Sequence, residues 1–258
     1  MRRAALAVHG HRERLGGAIE RVAAIAEAAG VELVEDETEQ ADVVIALGGD
    51  GTMLRALRAE VDRPTPVFGV RFGRVGFLTS AERDALEPAV RRVFAGDYRV
   101  VELCTLEARL ADNVHAVVND VVVTSTEPGR MIELEWHLGG AALGTQPCDG
   151  LICCTPTGST GYNLSNGGPV MMWGLEAMAL TFVAPHSLHA RPLVVPKGQS
   201  LRAVNRTVDR AATVLVDGHV VGELTGSAAL EVIVAEAVCR LALLPEVSFF
   251  SRYRTVFP

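Results

Sequence analysis

The chain has 258 residues, 49% of them hydrophobic, and carries a formal charge of −7. That is material for one large domain or two small ones. No apolar run approaches the roughly 20 residues of a membrane span, and the acidic balance argues against non-specific nucleic-acid binding, which relies on a basic surface.

The N-terminus, MRRAALAVHGHRERLGG, holds an apolar stretch too brief for a signal-peptide core. It reads as a first strand over 4–8, and a cytoplasmic protein is expected. Leu15, Ile19, Val22 and Ile25 share one stripe of a helix expected over 12–29, with Gly30 as its stop. A strand over 31–34 and an acidic loop over 35–40 follow. The apolar run 43–47 reads as a buried strand. It runs into GGDGT at 48–52 and a helix expected from Thr52 to about residue 60. A strand over 67–70 leads into RFGRVGFLTS at 71–80, then a helix expected over 81–95. Strands separated by helices imply a parallel, Rossmann-like sheet with helices on its faces. Ligands on such sheets bind beyond the carboxyl ends of the strands, where both Gly-rich turns, 48–51 and 73–76, fall.

The pattern changes near Gly96. Strand-like segments over 99–110, 115–124, 131–138, 150–154, 179–183, 200–205, 213–216 and 230–235 alternate with turns at 112–113, 128–129, 139–140 and 217–218. One helical interruption is expected over 159–178. The organisation is therefore an α/β domain over 1–95 and a β-rich, sandwich-like domain over 96–239. The aromatic and basic tail SFFSRYRTVFP, within 240–258, is expected to pack back on the first domain.

Three segments carry candidate chemistry. In the GGDGT turn, Gly48, Gly49 and Gly51 let the backbone approach a bulky anion with its N–H groups pointing at it, and the following helix start favours an anion too. Asp50 is the one charged side chain there. A carboxylate repels phosphate, so it either holds a metal, takes a proton from a nucleophile, or forms an ordinary Asp-Gly turn. In DGLICCTPTGSTGYNLSNGGPV at 149–170, Thr155, Thr157, Ser159, Thr160, Asn163 and Ser165 either cap a helix or hydrogen-bond a nucleoside. Tyr162 either stacks on a ring or fills the core. In VVNDVVVTS at 117–125, Asn119 and Asp120 interrupt an apolar strand, as a bulge or as an amide and a carboxylate gripping sugar hydroxyls. The sole lysine, Lys197, is followed by Gly198-Gln199 and makes no Walker A loop. Five cysteines without a CxxC pair read as buried or incidental. His186 and His189, between Pro185 and Pro192, make a poor zinc pair.

Together these segments resemble the NAD kinases, which phosphorylate the 2′-hydroxyl of the adenosine ribose of NAD to give NADP. GGDGT at 48–52, GRVGFL at 73–78, Asn119-Asp120, the long 149–170 segment, APHSLHARPLVVP at 184–196 and VDGHVVGEL at 216–224 carry the resemblance, over roughly residues 41–225. GGDG alone is weakly specific, since lipid kinases and phosphofructokinases have similar turns; the 149–170 segment is strongly specific. The resemblance implies that Asp50 accepts the ribose proton, and that Gly48, Gly49, Gly51 and Thr52 face phosphate with Arg55 nearby. It implies that Asn119 and Asp120 hold ribose hydroxyls. Asp149, Ser159, Thr160, Gly161, Tyr162, Asn163, Leu164 and Ser165 would line the dinucleotide pocket, Phe77 would flank a ring, and Arg130 and His219 would contact the dinucleotide. Residues 184–186 would reach a neighbouring subunit's site in a homodimer or homotetramer. The chain departs from the family pattern at Pro147, Arg71, Gly161 and His219.

The implied substrates are NAD and either ATP or polyphosphate, with Mg²⁺ accompanying the donor, and neither nucleic acid nor membrane as partner. A carboxylate is far too weak a base to pre-ionise a ribose hydroxyl. In a loose phosphoryl-transfer transition state it need only orient the hydroxyl and accept its proton late. Two rival readings are a diacylglycerol-type lipid kinase, which leaves the 149–170 signature unexplained, and a non-catalytic dinucleotide sensor, which loss of Asp50 would have favoured.

Overall fold

The computed structural model describes residues 1–8, 15–34, 40–73 and 76–257. Residues 12–14 of the first expected helix, most of the acidic loop, and Arg74 and Val75 of the second Gly-rich turn lie outside the described residues. Residues 15–17 of that helix are described and are not α-helical, since Gly16 and Gly17 take φ of 50° and 73° and the helix begins at Ala18. The chain divides into two units, Met1–Leu103 with Val238–Pro258, and Cys104–Ala237. Both crossings fall inside long strands, Arg99–Leu110 and Ala229–Leu243, rather than in loops.

The first unit is a parallel sheet. Its strands are β1 (Arg3–Val8), β2 (Glu32–Val34), β3 (Val43–Gly48), β4 (Pro66–Arg71) and the short β5 (Ala81–Glu82). β2 pairs with β1, β1 with β3 and β3 with β4, all parallel. The far edge of β4 is shared: Pro66–Phe68 pair with Arg240–Ala242, and Val70–Arg71 with β5. Side chains alternate across a strand, so Val43, Ile45 and Leu47 face one way. They share a core with Phe68 and Val70, Val22 and Ile25 of helix α1 (Ala18–Ala29), and Val90 and Val93 of helix α3 (Leu86–Phe94). Helix α2 (Asp50–Ala59) lies on the opposite face, where Gly69 leaves room for the Met53 side chain. The helix expected over 81–95 is shorter, because β5 and a 3-10 turn over Arg83–Ala85 take its first residues.

The second unit is antiparallel. One sheet orders β13 (Leu193–Pro196), β12 (Ala177–Val183), β11 (Gly150–Cys154), β8 (Asp120–Ser125), β15 (Ala212–Val216) and β16 (His219–Leu224). The other orders β10 (Ala141–Cys148), β9 (Ile132–Leu138), β14 (Ser200–Asn205) and the first half of β17 (Ala229–Leu243). β6 (Arg99–Leu110) pairs with β17 and with β7 (Asn113–Val117). Alternate residues build one core between the sheets, Val121, Val123, Leu151 and Leu180 from the first and Leu106, Leu134, Leu201 and Val232 from the second. On the outer face of the first sheet, Val122, Ile152, Cys154 and Ala179 pack with Met171 of the following loop. β11 is thus buried on both faces, which is why it reads as one continuous apolar run.

The helix expected over 159–178 is not one element. A 3-10 turn (Gly158–Thr160), the single-turn α4 (Tyr162–Ser165) and an irregular segment precede β12. Gly167 at φ 79° and Pro169 close the helical pattern after one turn. All five cysteines are buried and free, and burial pushes the Cys148 and Cys154 thiols up to about 12. The C-terminal helix α5 (Phe249–Val256) belongs to the first unit and opens on a Ser248–Ser251 capping box.

Candidate active site

In the first unit, β3 delivers the chain to Gly48 and Gly49, and α2 begins at Asp50 rather than at Thr52. Asp50 is therefore the first helical residue, not half of a turn, and its charge suits the positive end of that helix. Its carboxylate is half-buried and fixed from the second glycine motif: Oδ2 accepts from Phe77 N–H at 2.8 Å and Oδ1 from Leu78 N–H at 3.1 Å. Each oxygen keeps a lone pair for a hydroxyl. Two glycines make this approach possible. A Cβ on Gly76 would overlap the Asp50 carboxylate, and one on Gly48 would overlap the Thr52 side chain. Gly49 and Gly51 have open space where a Cβ would stand. Arg55 is exposed on the same helix. Gly76→Ala must displace the carboxylate, so kcat should fall by at least about tenfold while the protein remains folded. Steady-state kinetics beside a melting curve checks this; an unchanged kcat would detach Asp50's position from its role.

The Phe77 ring is buried between Phe249 and Phe257, with 5.7 Å between centroids in each pair. What this residue offers Asp50 is its amide. Arg71 donates from Nε to Glu82 at 2.6 Å, and Arg252 of α5 lies 3.9 Å from the other Glu82 oxygen. Arg252 is 7% exposed. Burial pulls its guanidinium below the usual value, with Glu82 and Asp50 opposing that shift and Arg71 adding to it. Glu82 and Arg252 had no signal in the sequence pattern, since only the fold brings them to Asp50's neighbourhood.

In the second unit, the strand pairing is interrupted at Val118-Asn119, where the chain passes from β7, paired with β6, to β8 in the other sheet. The amides of Val118, Asn119 and Asp120 all donate to the Asp217 carboxylate, at 3.1, 2.7 and 3.2 Å. The expected single strand over 115–124 is therefore two strands with Val118-Asn119 between them. The polar loop rests on this break. Thr155 N–H donates to the Asn119 carbonyl at 2.9 Å, and Thr155 Oγ1 donates to the Val118 carbonyl at 2.6 Å. A Cβ on Gly158 would overlap the Asn119 backbone. Asn119 Oδ1 and Thr157 Oγ1 are buried with no partner among the described residues. A buried polar atom left alone is costly, so both are suited to a ligand; in the sequence Thr157 is only one polar residue among six. Asp120 is 9% exposed, and burial, then the nearby Asp217 charge, push its carboxyl up to about 6.

The other predicted residues divide into two groups. Ser159 and Asn163 are fully buried and shape the loop. Ser159 Oγ donates to the Pro156 carbonyl at 2.6 Å and accepts from Met171 N–H at 2.9 Å. Asn163 donates to the Ser159 and Pro169 carbonyls at 3.1 and 3.0 Å and accepts from Thr181 Oγ1 at 2.7 Å. Thr160 and Gly161 are half-buried, as are Leu164 and Asp149, while Ser165, Arg130 and His219 are exposed. Tyr162 is 48% exposed, so it does not fill the core. His186 N–H donates to the Pro147 carbonyl at 2.8 Å, next to Ala184 at φ 42°. Among the described residues, no group of three or more His, Cys, Asp or Glu is placed to hold a metal. Asn163→Ala leaves the Thr181 hydroxyl and two carbonyls unpaired. It should cost about 2–4 kcal/mol of stability, read by denaturant unfolding; a loss under about 0.5 kcal/mol would show that the amide does not hold the loop.

Residues 17–98 match the family model of the ATP-NAD kinase N-terminal domain, and residues 118–243 match that of the C-terminal domain. The chain is 41% identical to the NAD kinase of Heliobacterium modesticaldum, over 92% of this chain and 85% of that one. An NAD kinase from Archaeoglobus fulgidus, solved in complex with ATP, superposes with a TM-score of 0.81 at 27% identity, covering 99% of this chain and 97% of that one. Yeast NADH kinase, solved with NADH, shares the fold with a TM-score of 0.86 at 20% identity, covering 98% and 86%. The two family models together span the GGDGT turn and the polar loop over 149–170, and the relatives match over most of the chain: the chain belongs to the NAD kinase family.

Proposed function

We propose that this protein is an NAD kinase that transfers a phosphoryl group from ATP or polyphosphate to the 2′-hydroxyl of the adenosine ribose of NAD, releasing NADP. The observation that carries the reading is the Asp50 carboxylate, fixed at a helix start by the Phe77 and Leu78 amides. Asp50 orients the hydroxyl and accepts its proton as the new P–O bond forms. Positioning supplies most of the acceleration. The amides around Gly48, Gly49 and Gly51 face the donor phosphates, and Mg²⁺ enters with the donor as part of that substrate, neutralising phosphate charge. Asn119 and Asp120 hold ribose hydroxyls, with Asp120 ionised above about pH 6 and so able to accept from a diol. The loop over 155–165 frames the base, with Tyr162 offering an exposed ring. In this reading the protein works in the cytoplasm as a homodimer or homotetramer, with 184–186 reaching a neighbour. No described helix is long and apolar enough to cross a membrane.

The test is purified protein with NAD, Mg²⁺ and either donor, read by an NADP-specific dehydrogenase. NADP formed with at least one donor supports the reading. None with either donor, from protein that binds NAD, would leave a dinucleotide sensor.

A further inference from the structure

Asp217 and Gly218 join β15 to β16, with φ of 47° and 81°. Positive φ at both central positions is the two-residue hairpin turn that Asp-Gly and Asn-Gly favour, and a turn is all that the sequence suggests for this pair. The fold gives the aspartate a second task. Its side chain reaches the break between β7 and β8 and collects the amides of Val118, Asn119 and Asp120. Asp217 N–H in turn donates to the Asp120 carbonyl at 2.8 Å. Four hydrogen bonds thus tie a hairpin tip to three consecutive residues far away in sequence.

This arrangement has a cost. Asp217 is 8% exposed and stands beside Asp120, which is 9% exposed, so two carboxylates share a buried site. Asn-Gly would make the same turn without the repulsion. It would fail in one respect: a carboxamide has a single acceptor oxygen, and its NH₂ would face one of the three amides. Only a carboxylate serves all three.

We propose that Asp217 is a positioning residue for dinucleotide binding, its carboxylate fixing the backbone from Val118 to Asp120 so that the Asn119 amide and the Asp120 carboxylate meet the ribose together. The inference rests on the reading of Asn119 and Asp120 as ribose-binding groups. Asp217 itself touches no substrate. It acts through the three amides, and through the charge it places beside Asp120, whose ionisable neighbours among the described residues also include Cys153 and Cys154 of β11.

The experiment measures NAD affinity by calorimetry from about pH 5 to about pH 8.5, with melting curves, for the wild type, Asp217→Asn, Asp217→Glu and Asp120→Asn. In the wild type, affinity should fall as pH drops through the range in which Asp120 takes up its proton. Asp217→Asn should weaken NAD binding by about tenfold at pH 8, and its inflection should move to lower pH, because the charge beside Asp120 is gone. Asp217→Glu keeps the charge but displaces it by a methylene. Affinity should fall to a similar extent while the inflection stays put, and this arm stands if the Asn variant folds poorly. KM for the donor should stay within about twofold in both. A lowered melting temperature, with NAD affinity per folded molecule within about twofold of wild type and an unmoved inflection in Asp217→Asn, would overturn the proposal and leave a structural turn. Unchanged affinity in Asp120→Asn would instead overturn the ribose-site reading, whatever Asp217 does.

Discussion

Asp50→Asn should lower kcat by about 10²–10⁴-fold while NAD affinity stays within a few fold. The carboxamide preserves the side chain's shape and keeps one acceptor, but it cannot take a proton from the ribose hydroxyl. It also turns an NH₂ toward one of the two amides that hold Asp50, Phe77 N–H or Leu78 N–H. That lost hydrogen bond should lower stability by about 1 kcal/mol, too little to unfold a domain and far too little to explain the rate. Single-turnover rates with a melting curve on the same preparation separate the two effects. A variant retaining more than about half of wild-type kcat would remove Asp50 from proton transfer.

The second large effect concerns Asp120, where function and stability oppose each other. Its carboxyl, ordinarily at 3.8, is pushed up to about 6 by burial and by Asp217. The folded protein therefore binds a proton more tightly than the unfolded chain. Stability falls as pH rises between these two values, and the deficit is complete above the higher one. The shift corresponds to a penalty of about 3 kcal/mol at neutral pH. Asp120→Asn carries no charge at any pH, so it should melt above the wild type at pH 7–8, with the gap closing toward about pH 4. Its kcat/KM for NAD should nevertheless fall by about tenfold or more, because a neutral amide is a poorer acceptor for the ribose hydroxyls. A lowered melting temperature with intact kcat/KM would mark the pair as a structural feature of the strand break.

The sequence made the central elements legible and the margins less so. β11 and β3 read clearly because both are buried on two faces and leave unbroken apolar runs. Strands that the sequence reading missed include β10, β13 and β16, which are edges of their sheets, and the two-residue β5. Exposure lets an edge strand carry mixed residues, such as the AALGTQPC of β10, and periodicity then fails. The expected helix over 159–178 shows the reverse error. Its spacing is helical, but Gly167, Gly168 and Pro169 turn the chain after Ser165, and Gly168 packs against Asn163 with no room for a Cβ.

For the site, residue types were readable and their tasks were not. Asp50 stood out as a lone acid among glycines. That its partners are the amides of Phe77 and Leu78 depends on the packing of α2 beside the second glycine motif. Ser159 and Asn163 read in sequence either as capping groups or as ligand-facing ones, and burial turns them inward to hold the loop. Asp217 reads as a turn residue, and only the spatial closeness of the β15–β16 hairpin to the strand break gives it three amides to bind. Contacts across so many residues have no local signature.

Phosphorus NMR of the product made from NAD and the productive donor reads which hydroxyl receives the phosphoryl group and whether Asp50 is needed for it. One new phosphomonoester signal on the 2′-oxygen of the adenosine ribose is expected, formed by the wild type and suppressed in Asp50→Asn. A phosphate on any other hydroxyl, or a product formed equally well by Asp50→Asn, would contradict the proposed transfer.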